Sequence, residues 1–113
     1  MKTSMVFVGI VFLIVSAVAF AGAADRGAEN IKIYGGSRGD VPFPHRDHQD
    51  RLEDCSTCHA VFPKETGSIK NMKTAGQLQK KQVMNKQCVK CHKDEKRAGN
   101  PSGPTTCSKC HVK

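Results

Sequence analysis

Cys55-Ser56-Thr57-Cys58-His59 has a form that recurs twice, as Cys88-Val89-Lys90-Cys91-His92 and Cys107-Ser108-Lys109-Cys110-His111. All six cysteines of the chain fall in these three units, and each unit ends in a histidine. Two thiols three residues apart share one side of a helical turn, and the next residue continues that side. This spacing lets two thiols reach the two vinyl groups on one porphyrin edge while the following imidazole turns under the ring to iron. The pattern therefore reads as covalent attachment of three c-type haems.

Two other chemistries use the same residues. Paired C-x-x-C units are zinc-ligand spacing, and six cysteines in an oxidising compartment would otherwise pair as disulfides. With 5 histidines in 113 residues, three given positions would all be histidine in roughly one chain in ten thousand by composition alone. The histidine after every pair favours haem over both alternatives.

The compartment is legible at the N-terminus. Lys2 precedes an apolar run from Met5 to Val15, interrupted at Gly9, and the run gives way to Ala19-Phe20-Ala21-Gly22-Ala23-Ala24. Residues 1–23 read as a secretory signal peptide with cleavage after Ala21 or Ala23, leaving residues 24–113 as one triheme cytochrome c domain. A membrane anchor across Val6 to Ala24 is the competing reading. No cysteine precedes Cys55 to carry a lipid, and the expected product is a soluble extracytoplasmic protein.

Composition agrees with a fold that leans on its cofactor. From Asp25 onward only 19 apolar residues other than cysteine occur, too few for a self-sufficient core in so short a chain. Porphyrin would supply the missing apolar surface, so the chain is expected not to fold without haem. Setting Lys2 aside, 17 basic residues face 10 acidic ones. Haem propionates would offset most of that excess, which weakens a nucleic-acid reading.

Ile31-Lys32-Ile33-Tyr34 and Val41-Pro42-Phe43 flank Gly35-Gly36-Ser37-Arg38-Gly39-Asp40 and read as a two-stranded hairpin. Pro42 and Pro44 confine the second strand to an edge. A short helix is expected from His45 to Asp54. The stretch from Val61 to Ala75, with Pro63 and Gly67, reads as loop, and Gln77 to Arg97, free of glycine and proline and rich in Lys and Gln, is the best helix candidate. Gly99-Asn100-Pro101-Ser102-Gly103-Pro104 is a turn-rich linker into the last motif. The fold class is thus small α+β, a hairpin and short helices wrapped around three haems.

Three motif histidines leave His45 and His48 for the far sides of the irons. Placed three apart, they share a helix face. One iron has a single open axial position once its motif histidine is bound, so the two are expected to serve two different haems. The alternative is a pair of solvent-exposed histidines.

The run Gly39-Asp40-Val41-Pro42-Phe43-Pro44-His45-Arg46-Asp47-His48-Gln49, with Cys55 seven residues after His48, resembles the triheme cytochrome c7 family, relatives of cytochrome c3. The resemblance covers nearly all of the chain from Ile31 and rests on the three haem motifs and the F-P-H-x-x-H signature. It implies a periplasmic electron carrier, a small hairpin and short helices around three closely spaced haems. It also implies that His45 pairs with the His59 haem and His48 with the His92 haem. The chain departs from the family where a sixth histidine would stand four residues before Cys88 to cap the third haem. Met84 occupies that position. The stretches Val61 to Gln82 and Gly99 to Pro104 are also longer than the family pattern.

Thioether sulfur is itself an axial ligand for c-type haem. If Met84 to His92 is one helix, the two side chains stand about 12 Å apart along it, so Met84 is expected to reach the haem of His111 rather than that of His92. The alternatives are a five-coordinate third iron, or Met72, Lys80 or Lys81 as its ligand. Lys86, Lys90, Lys93 and Arg97 recur at helical spacing and form a basic stripe, either to steer acidic partners or to offset propionates.

The reading is a carrier of single electrons and not an enzyme. Its expected partners are redox proteins, acidic or membrane-associated cytochromes among them, with no nucleic acid, and the protein is expected to be monomeric. Six protein ligands (His45, His48, His59, Met84, His92 and His111) would close all three irons to substrates. A small extracellular metal-ion reductase is the rival from another class, and a ligand-binding sensor becomes the reading if the third iron is open.

Overall fold

The computed structural model describes residues 25–113, so the expected signal peptide lies outside the described residues. Strand β1 (Ile31–Ile33) pairs antiparallel with β2 (Val41–Phe43), placing Ile31 opposite Phe43, Lys32 opposite Pro42 and Ile33 opposite Val41. With two strands in the sheet, both are edges, and Pro42 is tolerated there because a missing N–H costs no inner ladder bond. Between the strands the chain makes one tight turn, closed by the Gly39 N–H donating to the Gly36 carbonyl at 3.1 Å. Gly36 and Gly39 take φ values of 66° and 96° there, which a side chain would resist.

Helix α1 (His45–Leu52) follows at once. Pro44 sits at its N-cap, one position earlier than a first-turn proline, and the Arg46 N–H donates to the Glu29 carbonyl at 2.9 Å. A segment preceding the hairpin thereby satisfies a free end of the helix. The helix stops two residues short of Asp54, where Glu53 turns left-handed (φ 58°) and returns its N–H to Gln49.

Two segments differ from the sequence expectation. Ser68–Thr74, expected as loop, is helix α3, following the single turn α2 (Ser56–His59) of the first motif. Gly67 is a starter rather than a breaker: at φ 75° it forms the N-cap, and Ile69 and Met72 then fall one turn apart, both half-buried. The helix expected from Gln77 begins only at Gln82. The Gln79 N–H donates to the Gln82 side chain at 2.9 Å while the Gln82 N–H donates back to the Gln79 carbonyl at 3.1 Å, and Lys81 is left-handed at φ 63°. These local bonds compete with helix and hold a turn that buries Leu78.

From Val83 to Cys88 the backbone is π-helical, then continues without a break into α4 (Val89–Arg97). The last element, α5 (Cys107–Cys110), is one turn long. After it the chain returns to the hairpin, where Val112 forms an isolated bridge with Asp40 and donates its N–H at 2.9 Å. Among the described residues only Phe62 and Leu78 are buried apolar side chains. Two side chains cannot offset the ordering entropy of a domain, so the chain is built to close around something else.

Candidate haem sites

The histidines come together in facing pairs. His45, on α1, stands opposite His59, at the end of α2, with ring centroids 6.1 Å apart and planes at 80°. His48, one turn further along α1, faces His92 of α4 with centroids 6.2 Å apart and planes at 32°. An iron between two imidazoles needs two metal–nitrogen bonds of about 2 Å plus about 1 Å from each nitrogen to its ring centre, which is roughly the separation of both pairs.

Every histidine also has its inner nitrogen engaged. The Nδ1–H groups donate to backbone carbonyls: His45 to Ala28 at 2.9 Å, His48 to Pro44 at 2.9 Å, His59 to Phe62 at 2.8 Å, His92 to Pro104 at 2.6 Å and His111 to Gly39 at 2.7 Å. That bond selects the tautomer in which Nε2 carries the free lone pair, and it orients the ring. Gln49 Nε2 comes only within 3.5 Å of His45 Nε2, too far for a firm bond, and donates instead to the Arg26 carbonyl at 2.6 Å. All five imidazoles thus present an Nε2 lone pair with which a metal could be held.

The cysteines fit thioether formation. Cys55 and Cys107 are exposed, and Cys58, Cys88, Cys91 and Cys110 are half-buried. Burial pushes the Cys58, Cys88 and Cys110 thiols up, with neighbouring cysteines adding to it: Cys91 for Cys58, Cys58 and Cys110 for Cys88, and Cys107 for Cys110. Thioether formation removes that cost, since the product carries no charge to desolvate. Among the described residues no three His, Cys, Asp or Glu side chains gather around one point as a zinc site would require.

The three motifs are positioned by different means. The Asp54 carboxylate accepts the Ser56 N–H at 2.9 Å and its hydroxyl at 2.6 Å, which starts α2, and these bonds hold the Asp54 carboxyl below the usual range. His92 lies inside a continuous helix, with α4 tied to α1 by Arg51 and Glu95 at 3.3 Å. His111 caps α5, its N–H still donating to the Cys107 carbonyl at 2.9 Å, and from its extended ψ (φ −90°, ψ 128°) the chain leaves the helix. The hairpin loop orients the His111 ring through Gly39.

A family model for the class III cytochrome c family matches residues 21–111. The chain belongs to that family. Within it the chain is a triheme cytochrome c7, and it carries three covalently attached c-type haems. It is 36% identical to cytochrome c7 of Geobacter metallireducens over 75 residues, 66% of this chain and 67% of the relative. It is 29% identical to cytochrome c3 of Desulfuromonas acetoxidans, over 74% of this chain and 98% of that one. The solution structure of the triheme cytochrome PpcA from Geobacter sulfurreducens superposes on it with a TM-score of 0.54 at 32% identity, covering 76% of this chain and all (100%) of that one. This cytochrome c7 is an electron carrier, not an enzyme.

The four paired imidazoles leave His111 without an opposing one. Met84 lies in the π-helical segment, half-buried, four residues before Cys88. The basic stripe is partly neutralised: Lys90 (2.7 Å) and Arg97 both pair with Asp94, holding its carboxyl low, and the π-turn displaces Lys86 from α-helical register. Sequence reasoning did not single out Phe43 as part of the site. Its ring centroid lies 4.2 Å from that of His48 and 6.1 Å from that of His45. Its place next to the F-P-H-x-x-H histidines was the available signal.

Proposed function

We propose that this cytochrome c7 is a soluble periplasmic carrier that passes single electrons between redox proteins, with two bis-histidine haems and one histidine–methionine haem. The observation that carries the reading is the facing of His45 with His59 and of His48 with His92 at 6.1 and 6.2 Å, together with the engaged Nδ1 of all five histidines. When bound, haem supplies an Fe(III)/Fe(II) couple. The chain's part is to hold ligands still: rings anchored by backbone carbonyls keep their place in both oxidation states, which keeps reorganisation small. Cys55 and Cys58, Cys88 and Cys91, and Cys107 and Cys110 each anchor one haem, with His59, His92 and His111 as the motif ligands.

His45 and His48 are the opposite ligands of the first two haems, and Met84 is that of the third. Support for Met84 is its half-buried place one turn before Cys88 and the use of every other histidine. Periplasmic export rests on the signal peptide of residues 1–23, cut after Ala21 or Ala23, with residues 24–113 as the mature domain. Among the described residues no helix is long and apolar enough to cross a membrane.

A redox titration of the exported protein that resolves each haem, with axial-ligand spectra, tests the reading. Three low-spin centres, one with the red sulfur-to-iron charge-transfer band, are expected. Carbon monoxide binding to the reduced third haem would overturn the methionine assignment and favour a sensor.

A further inference from the structure

Six of the eight described glycines (Gly27, Gly36, Gly39, Gly67, Gly76 and Gly99) have positive φ, a backbone reason to be glycine. Gly35 and Gly103 have none, and both lie against a motif imidazole. A Cβ on Gly35 would stand 2.7 Å from Nδ1 of His111, and also 1.8 Å from the Gly39 carbonyl oxygen. At Gly103 the histidine is the whole reason. A Cβ there would lie 2.5 Å from Cε1, 2.8 Å from Nε2 and 3.0 Å from Nδ1 of His92. These distances place the glycine over one face of the ring, where real side chains do not fit.

The next residue completes the seat. The Pro104 carbonyl accepts the His92 Nδ1–H at 2.6 Å, and proline has no N–H to compete for that region. Residues 103 and 104 belong to the linker of the third haem motif, three residues before Cys107, yet they wall and anchor the motif histidine of the second. Resting on the assignment of His92 as a haem ligand, we propose that Gly103 and Pro104 are positioning residues that set the plane and basicity of the His92 imidazole, and so tune the second haem from the loop of the third.

The physical basis is the second-shell bond. A short Nδ1–H···O=C contact pushes electron density toward Nε2 and stabilises the ferric state. Crowding the ring at position 103 turns it away from Pro104, lengthens that bond and raises the potential of this haem. Because Gly103 has an ordinary φ, alanine there disturbs the ring and not the backbone.

The test uses the exported, haem-loaded protein, comparing Gly103→Ala with Ser102→Ala, an exposed change in the same loop. Gly103→Ala is expected to raise the potential of the haem attached at Cys88 and Cys91 and to alter the anisotropy of its low-spin EPR signal. The other two haems, and all three in Ser102→Ala, keep their wild-type values. An unchanged second haem, or the same shift in Ser102→Ala, overturns the proposal. Should Gly103→Ala fail to take up three haems, NMR of the reduced wild-type protein decides. A slowly exchanging His92 Nδ1–H in contact with Gly103 Hα is expected, and a freely exchanging one refutes the seat. A second haem that lacks His92 as a ligand would overturn the ligand assignment itself and is seen in the same spectra.

Discussion

His45 and His48 are one turn apart on α1, yet their opposing imidazoles belong to different motifs, His59 for the first and His92 for the second. In the proposed ligand assignment, one short helix carries a ligand to each of two haems. The Phe43 ring packs against that of His48 at 4.2 Å between centroids, with the His45 ring at 6.1 Å.

Replacing either distal histidine should open one iron and leave the others closed. His45→Ala is expected to give one high-spin haem, at the first motif, and His48→Ala one at the second. Each loss should also lower stability by about 1 kcal/mol or more, a fall in Tm of about 4–8 °C for a domain this size. EPR and thermal unfolding of the two variants check this, and low-spin spectra for every haem in His45→Ala would refute it.

The third haem should have the highest potential of the three. Thioether sulfur binds Fe(III) less well than imidazole does and favours Fe(II). Met84→His is expected to lower that potential and abolish the red charge-transfer band without loss of a haem. Unchanged potentials would show that Met84 only packs nearby.

Without haem the chain should be unfolded. Phe62 and Leu78 are the only buried apolar side chains among the described residues, far short of what ordering the chain costs. A variant with all six cysteines changed to alanine should give a random-coil circular dichroism spectrum and no thermal transition. A cooperative transition would mean that the polypeptide holds itself together.

Strong acid should weaken the start of the first motif. The Asp54 carboxyl is held below its usual range by Ser56, so its folded value is depressed relative to the unfolded chain. Its contribution is then present above the unfolded value of about 4 and is lost as pH falls through the folded one. The Tm difference between wild type and Asp54→Ala should be largest near neutral pH and shrink below about pH 4. A difference that grows with acid would contradict the sign.

The haem chemistry is legible before any fold is known, since it is written in local spacing. C-x-x-C-H confines two thiols and an imidazole within five residues, and P-H-x-x-H places two ligands on one helix face, whatever the rest of the chain does. The hairpin was equally readable from its glycine-rich turn. Tertiary structure decided the remainder. Gly67 starts a helix instead of breaking one, and Gln77–Lys81 curls into a turn because the Gln82 side chain and the burial of Leu78 outweigh helix propensity. The partners of the histidine Nδ1 atoms are backbone carbonyls up to 72 residues away, as for His111 and Gly39. Backbone carbonyls are alike in every residue and leave no trace in sequence. Which of them reaches an imidazole, and which glycine must stay bare beside it, is set only when the loops close over the haems.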